Sequence, residues 1–93
     1  MKLKPYQRIT YDVAKQRALK FLDEEKWPRR GACVGQEIWP DNDMRAQGLG
    51  AAASRILKRM HKDGLVYWTY AEVGRFRNWG YRITSVGRKE IAK

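Results

Sequence analysis

Ser54-Arg-Ile-Leu-Lys-Arg-Met-His-Lys-Asp-Gly-Leu-Val66 is the stretch on which the reading of this chain turns. Taken with the residues just before it, Leu49, Ala53, Ile56, Leu57 and Met60 recur at i, i+4, i+7, i+8 and i+11. That spacing lines apolar side chains along one side of an α-helix. Gly64 stands where a helix closes on a left-handed residue. Leu65 follows, placed to pack back on Met60 as in a Schellman ending. The chain then changes character. Leu-Val-Tyr-Trp-Thr-Tyr-Ala, residues 65–71, is rich in β-branched and aromatic types and reads as a strand. Gly48 and Gly50 are poor helix formers, so the first turn of this helix is expected to be irregular or to begin late.

Working upstream, Pro40-Asp-Asn-Asp43 is dense in turn formers, and Asp43 is a candidate cap for the helix after it. Val34 to Trp39 reads as a short second helix stopped by Pro40. Ala32-Cys33 reads as a very short strand, and Trp27-Pro-Arg-Arg-Gly31 as a turn. Before that, Tyr11, Ala14, Ala18, Phe21 and Leu22 recur at helical spacing. Thr10 is placed as the cap and Asp12 lies in the first turn, where a negative charge suits the helix dipole. This first helix should end near Lys26, because Pro28 lies just beyond. Residues 1–9 read as a basic arm and 10–93 as the domain. Downstream, Glu72 to Asn78 reads as a loop and Trp79 to Ile83 as a second strand, antiparallel to the first. Thr84 or Ser85 then caps a short basic helix.

The 93 residues suffice for one domain, and 43% hydrophobic content allows a packed core. Lysine plus arginine number 20 against 10 acidic residues, a net charge of +10. So large a surplus attracts polyanions, nucleic acid first and an anionic membrane surface second. The plainer reading is a merely soluble basic surface. Cys33 is the single cysteine, so no internal disulfide can form, which fits a reducing cytosol. The N-terminus does not resemble a signal peptide, and no segment is long enough to span a bilayer. A cytoplasmic, nucleoid-associated location is the expectation.

The order of elements is helix, short strand, helix, turn, helix, hairpin and closing helix. With that order, the quoted stretch resembles the recognition helix and first wing strand of winged helix-turn-helix DNA-binding proteins. Gly80-Tyr-Arg-Ile-Thr-Ser-Val-Gly-Arg88 resembles the second wing strand and the Thr-x-x-Gly-Arg start of the helix after it. Bacterial repressors of the multiple-antibiotic-resistance and phenolic-acid-response types carry both, and the likeness covers roughly residues 10 to 93. It implies an α+β fold: a three-helix core, a two- or three-stranded antiparallel wing and a short C-terminal helix. A two-fold dimer is usual for such repressors, although no long dimerising helix is visible here.

With the apolar stripe turned inward, Gln47, Ala51, Ser54, Arg55, Lys58 and Lys62 point out from the third helix. Gln and Arg make bidentate contacts to base edges, alanines permit close approach, and lysines suit phosphates. The resemblance implies that this face enters a major groove. The bland alternative is a solvated helix face, against which stands the absence of any acidic residue until Asp63. Val73-Gly-Arg-Phe-Arg-Asn78 is the candidate wing tip. The resemblance gives Arg75, Arg77 and Asn78 a minor-groove or phosphate role, while a flexible basic hairpin is the plainer reading. Arg29 and Arg30 are candidate phosphate contacts, or simply solvated turn residues. Tyr67, Trp68, Tyr70, Phe76, Trp79 and Tyr81 crowd the hairpin, more than strand alternation can bury in so small a sheet. Cross-strand packing accounts for some. Any exposed remainder could stack on unpaired bases or form a protein-binding patch.

Met44 and Met60 read as core, and Trp39 as the closure of the core edge. One His and one Cys cannot make a zinc site. His61 reads as a helix-end cation, Cys33 as a buried or half-buried thiol, and Gly48-Leu-Gly50 is no phosphate loop. Neither an enzyme activity nor a cofactor is expected. The leading expectation is duplex-DNA binding by a transcriptional regulator. Alternatives are a winged-helix module that docks on a protein, and an RNA-binding accessory protein.

Overall fold

The computed structural model describes residues 9–40 and 46–91; the expected Asp43 cap, Met44 and most of the basic arm lie outside them. Helix α1 spans Tyr11–Glu24, α2 Gly31–Ile38 and α3 Ala46–Lys62. Strands β1 (Val66–Val73) and β2 (Phe76–Ile83) pair antiparallel, and α4 (Ser85–Ile91) closes the fold. This is the α+β layout expected: a helix-turn-helix of α2 and α3, with a hairpin wing behind it.

Each junction has a local cause. Thr10 caps α1, its hydroxyl accepting from the Val13 N–H at 3.3 Å. α3 ends as its sequence requires: Gly64 has φ of +76°, its N–H donates to the His61 carbonyl, and the Leu65 N–H donates to the Met60 carbonyl at 2.9 Å. Those two crossed bonds satisfy carbonyls that the last turn would otherwise leave bare. Thr84 joins the end of α3 to the start of α4. Its hydroxyl donates to the Gly64 carbonyl at 2.6 Å and accepts from the Gly87 N–H at 3.0 Å. Gly87 in turn lies against the Leu65 carbonyl, where any side chain would collide. Arg88 reaches Asp23 of α1 at 3.0 Å. The Thr-x-x-Gly-Arg pattern is thus a cap, a close approach and a tie to α1.

The core joins Ala14, Ala18, Leu19 and Leu22 of α1 to Val34 and Ile38 of α2 and to Leu49, Ala53, Leu57 and Met60 of α3. Trp39, Leu65, Val66 and Ile83 close it. Leu19 was missing from the expected α1 stripe, and Ile56 and Phe21 prove only half-buried at its margin. α2 and α3 cross closely through small residues. A Cβ on Gly35 would stand 2.8 Å from the Leu49 side chain and 3.0 Å from its carbonyl oxygen. Gly31 faces the backbone of Gly50. Gly50 therefore serves this crossing inside a helix that begins by Ala46, not late as its glycines suggest.

Three expectations are corrected. Ala32-Cys33 is not a strand but part of the first turn of α2, which starts at Gly31 rather than Val34. The strand-like contact lies earlier: Arg29 alone bridges Tyr81, with N–H to carbonyl distances of 3.1 and 2.8 Å in the two directions. A single bridging residue has no alternation to read. Glu72 to Asn78 is mostly strand, and the reversal occupies only Gly74 and Arg75. Gly74 has φ of +62° while Arg75 beside it does not have positive φ, the pattern of a type II′ reversal. Cys33 is exposed rather than buried. It lines a surface cleft with Trp27, Arg30 and Trp79.

Candidate nucleic-acid interface

α3 carries no acidic residue, and its two sides are separated by burial. Leu49, Ala53, Leu57 and Met60 are buried, while Ala51, Arg55, Lys58 and Lys62 are exposed. Ser54 is half-covered, because its hydroxyl sits against the first turn of α2 beside Gly31. The side chain of Gln47 lies outside the described residues. Arg59, which the helical wheel left unassigned, is turned toward α1, its guanidinium on the face of Tyr11.

Pairing divides the cations further. Among the described residues the ion pairs join Lys15 to Asp12 and Glu90, Arg29 to Glu25, Arg77 to Glu72 and Arg88 to Asp23. None involves Arg55, Lys58 or Lys62. Asp12, Asp23, Glu25, Glu72 and Glu90 are thus paired away from α3, and among the described residues its outer side has no ion-pair partner. A cationic surface without internal partners gains most from an external anion.

The wing and the α1–α2 connection contribute unequally. Arg75 is exposed at the hairpin tip. Arg77 pairs with Glu72 at 3.5 Å, but both side chains are largely in water, where such a pair contributes little. Asn78 is half-buried on β2. Arg29 donates to both carboxylate oxygens of Glu25 at 3.1 Å and lies beside the Phe21 ring, so it serves the fold. Arg30 beside it is exposed, and its carbonyl opens α2 by accepting from Cys33 and Val34.

The hairpin register explains its aromatics. Tyr81 spends both its N–H and its carbonyl on Arg29, so Trp68 opposite it belongs to a non-hydrogen-bonded pair, and so does Tyr70 opposite Trp79. Such pairs bring side chains closest. Trp68 meets Tyr81 edge-on at 5.0 Å, Tyr70 tilts against Trp79 at 4.7 Å, and the Trp68 and Trp79 rings lie within 15° of parallel. This row continues the buried Val66–Ile83 pair outward, past the end of the core. Cross-strand packing is therefore present, yet Trp68, Tyr70 and Trp79 remain 50%, 48% and 44% exposed. Sequence reasoning passed over Trp27, which is also 44% exposed and flanks Trp79 across the edge of β2. Its position beside Pro28 in a turn gave no periodicity by which to find it.

Among the described residues no cluster of His, Cys, Asp or Glu is arranged to hold a metal ion, and no helix is long and apolar enough to cross a membrane.

No protein-family model matches the sequence, and no curated protein matches it. Among solved structures, a PadR family transcription regulator from hypervirulent Clostridium difficile is similar, with 18% identical residues and a TM-score of 0.56. The likeness covers 88% of this chain and 79% of that one. At that identity the match is one of fold, and the chain has the winged-helix fold.

Proposed function

We propose that the chain is a duplex-DNA-binding winged-helix protein that regulates transcription, working in the cytoplasm on nucleoid DNA. α3 enters the major groove with Gln47, Ala51, Arg55, Lys58 and Lys62 toward the bases and phosphates, and Ser54 at the margin next to α2. Arg75, Arg77 and Asn78 of the wing approach the adjacent minor groove or its phosphates, and Arg30 contacts the backbone beside α2. Arg29 acts indirectly, by fixing the segment that carries Arg30.

The single observation that carries this reading is the outer side of α3: Arg55, Lys58 and Lys62 are exposed on one helix, and none of the ion pairs among the described residues involves them. The solved regulator of like fold adds support by analogy of architecture. Selection of bound duplexes from a random pool, followed by titration of the enriched sequence at two salt concentrations, tests it. Enrichment of a defined site and a linear fall of log affinity with log salt are expected. A pool that stays random through repeated rounds overturns sequence reading.

A further inference from the structure

A cleft of about 200 Å³ opens at the outer edge of β2, beyond the point where Arg29 leaves the sheet. Trp27 and Trp79 stand on its walls, with Asn78 and Arg30 beside them. Residues two apart on a strand turn their backbone groups to the same side. The N–H and carbonyl of Trp79 therefore face the same edge that Tyr81 uses for Arg29. The cleft thus joins two open indole rings, an amide able to donate and accept, an exposed guanidinium and a bare length of strand edge. From Trp79 the aromatic row runs on to Trp68 and Tyr70.

We propose that this cleft takes one unpaired base of a nucleic-acid strand. Trp27 and Trp79 stack on the base, Asn78 reads its edge, Arg30 holds the neighbouring phosphate, and Trp68 and Tyr70 extend the platform to the next base. Interleaved aromatic rings and cations are the usual means of holding single strands. The charge on this chain selects the occupant. A second copy would bring a molecule of charge +10 against its like, so the row does not suit self-association. An acidic peptide would satisfy Arg30 but would leave the open ring faces and the amide without a planar partner. The proposal rests on the nucleic-acid reading above, but not on groove insertion by α3. Together the two assign the protein to a place where duplex meets opened strand.

The test uses the full chain with four probes: a short oligothymidine, an abasic strand of equal length, polyglutamate and a closed duplex. Tryptophan emission and the anisotropy of labelled probe are read together. Oligothymidine is expected to quench the indoles and to bind about tenfold or more tighter than the abasic strand. Trp27→Ala is expected to weaken oligothymidine about tenfold and to leave duplex affinity within about twofold, with an unchanged circular dichroism spectrum. Trp27 lies in a connection and is exposed, so its removal spares the hairpin; Trp79→Phe, which keeps a ring, should retain most of the affinity. Equal binding of abasic strand or polyglutamate overturns the stacking proposal, as does an unaltered oligothymidine affinity in Trp27→Ala. Loss of duplex binding alone, with thymidine quenching intact, removes the groove reading and leaves the cleft standing.

Discussion

The guanidinium carbon of Arg59 lies 3.8 Å from the centre of the Tyr11 ring, so one of the four Lys/Arg cations of α3 is committed to α1. A guanidinium on an aromatic face contributes about 0.5–1 kcal/mol where partly exposed. Arg59→Ala is therefore expected to lower stability by about 1 kcal/mol, seen as a shifted urea midpoint, while duplex affinity changes less than about twofold. Loss of DNA binding in a folded Arg59→Ala protein would place the groove face on the wrong side of α3.

Tyr11 also carries a pH dependence. Partial burial, and next the charge of Asp63, hold its phenol above the ordinary tyrosine value, against a smaller opposing effect of Arg59. The phenol donates to Asp63 at 3.4 Å, a contact that only the protonated form can make. Because the folded state favours the neutral form, this contribution is complete below about pH 10 and fades as pH climbs through the raised value. Thermal melts between about pH 9 and about pH 11.5 should show wild type losing stability faster than Tyr11→Phe. Parallel decline of the two proteins would show that Tyr11 ionises as freely folded as unfolded.

On the outer side of α3 the expected effects differ by residue. Arg55→Ala should cost about 1–3 kcal/mol at the preferred site and blur discrimination at one base position. Lys58→Ala or Lys62→Ala should weaken all duplexes alike and reduce the salt slope by about 1. Binding isotherms on the selected site and on a scrambled one, at several salt concentrations, separate the two patterns. Identical behaviour of all three variants would mean that the face senses charge but not sequence.

Thr84 is expected to be structurally demanding despite its place between two elements. Valine keeps its shape but strands the Gly64 carbonyl and the Gly87 N–H at once. Loss of the cap and of a second hydrogen bond should cost about 1–3 kcal/mol in Thr84→Val, with Thr84→Ser recovering most of it. Chemical denaturation of the pair decides. Equal stability of valine and serine variants would remove the hydroxyl from the account of the α3–α4 junction.

The parts of the fold legible in the sequence are those governed by repetition or by a single demanding residue. The α3 stripe needed only a period, its end only Gly64, and α1 only Thr10 and the coming Pro28. The hairpin was legible where it meets the core, at Val66 and Ile83, because one face there is apolar. It was not legible from Glu72 to Asn78, where Gly74 and the charged and polar residues around it imitate a loop. Arg29 escaped because a one-residue bridge has no pattern, and Leu19 because it sits beside Ala18 within a broader apolar face. The outer face of α3 followed from the period, but that Ser54 leans on α2 and Arg59 on Tyr11 depends on neighbours far along the chain. Trp27 depends on the same long-range arrangement.

The stitch between Arg29 and Tyr81 makes the hairpin a lever with its fulcrum at the entrance of α2. Both backbone groups of Arg29 are held, and Arg30 immediately caps the helix that starts at Gly31. A tug on the beta arm is thus delivered to the scaffold helix through one residue of slack. The amides of Arg29 and Tyr81 should exchange with deuterium together, as parts of one cooperative unit, and the arm cannot swing without dragging the helix that seats α3.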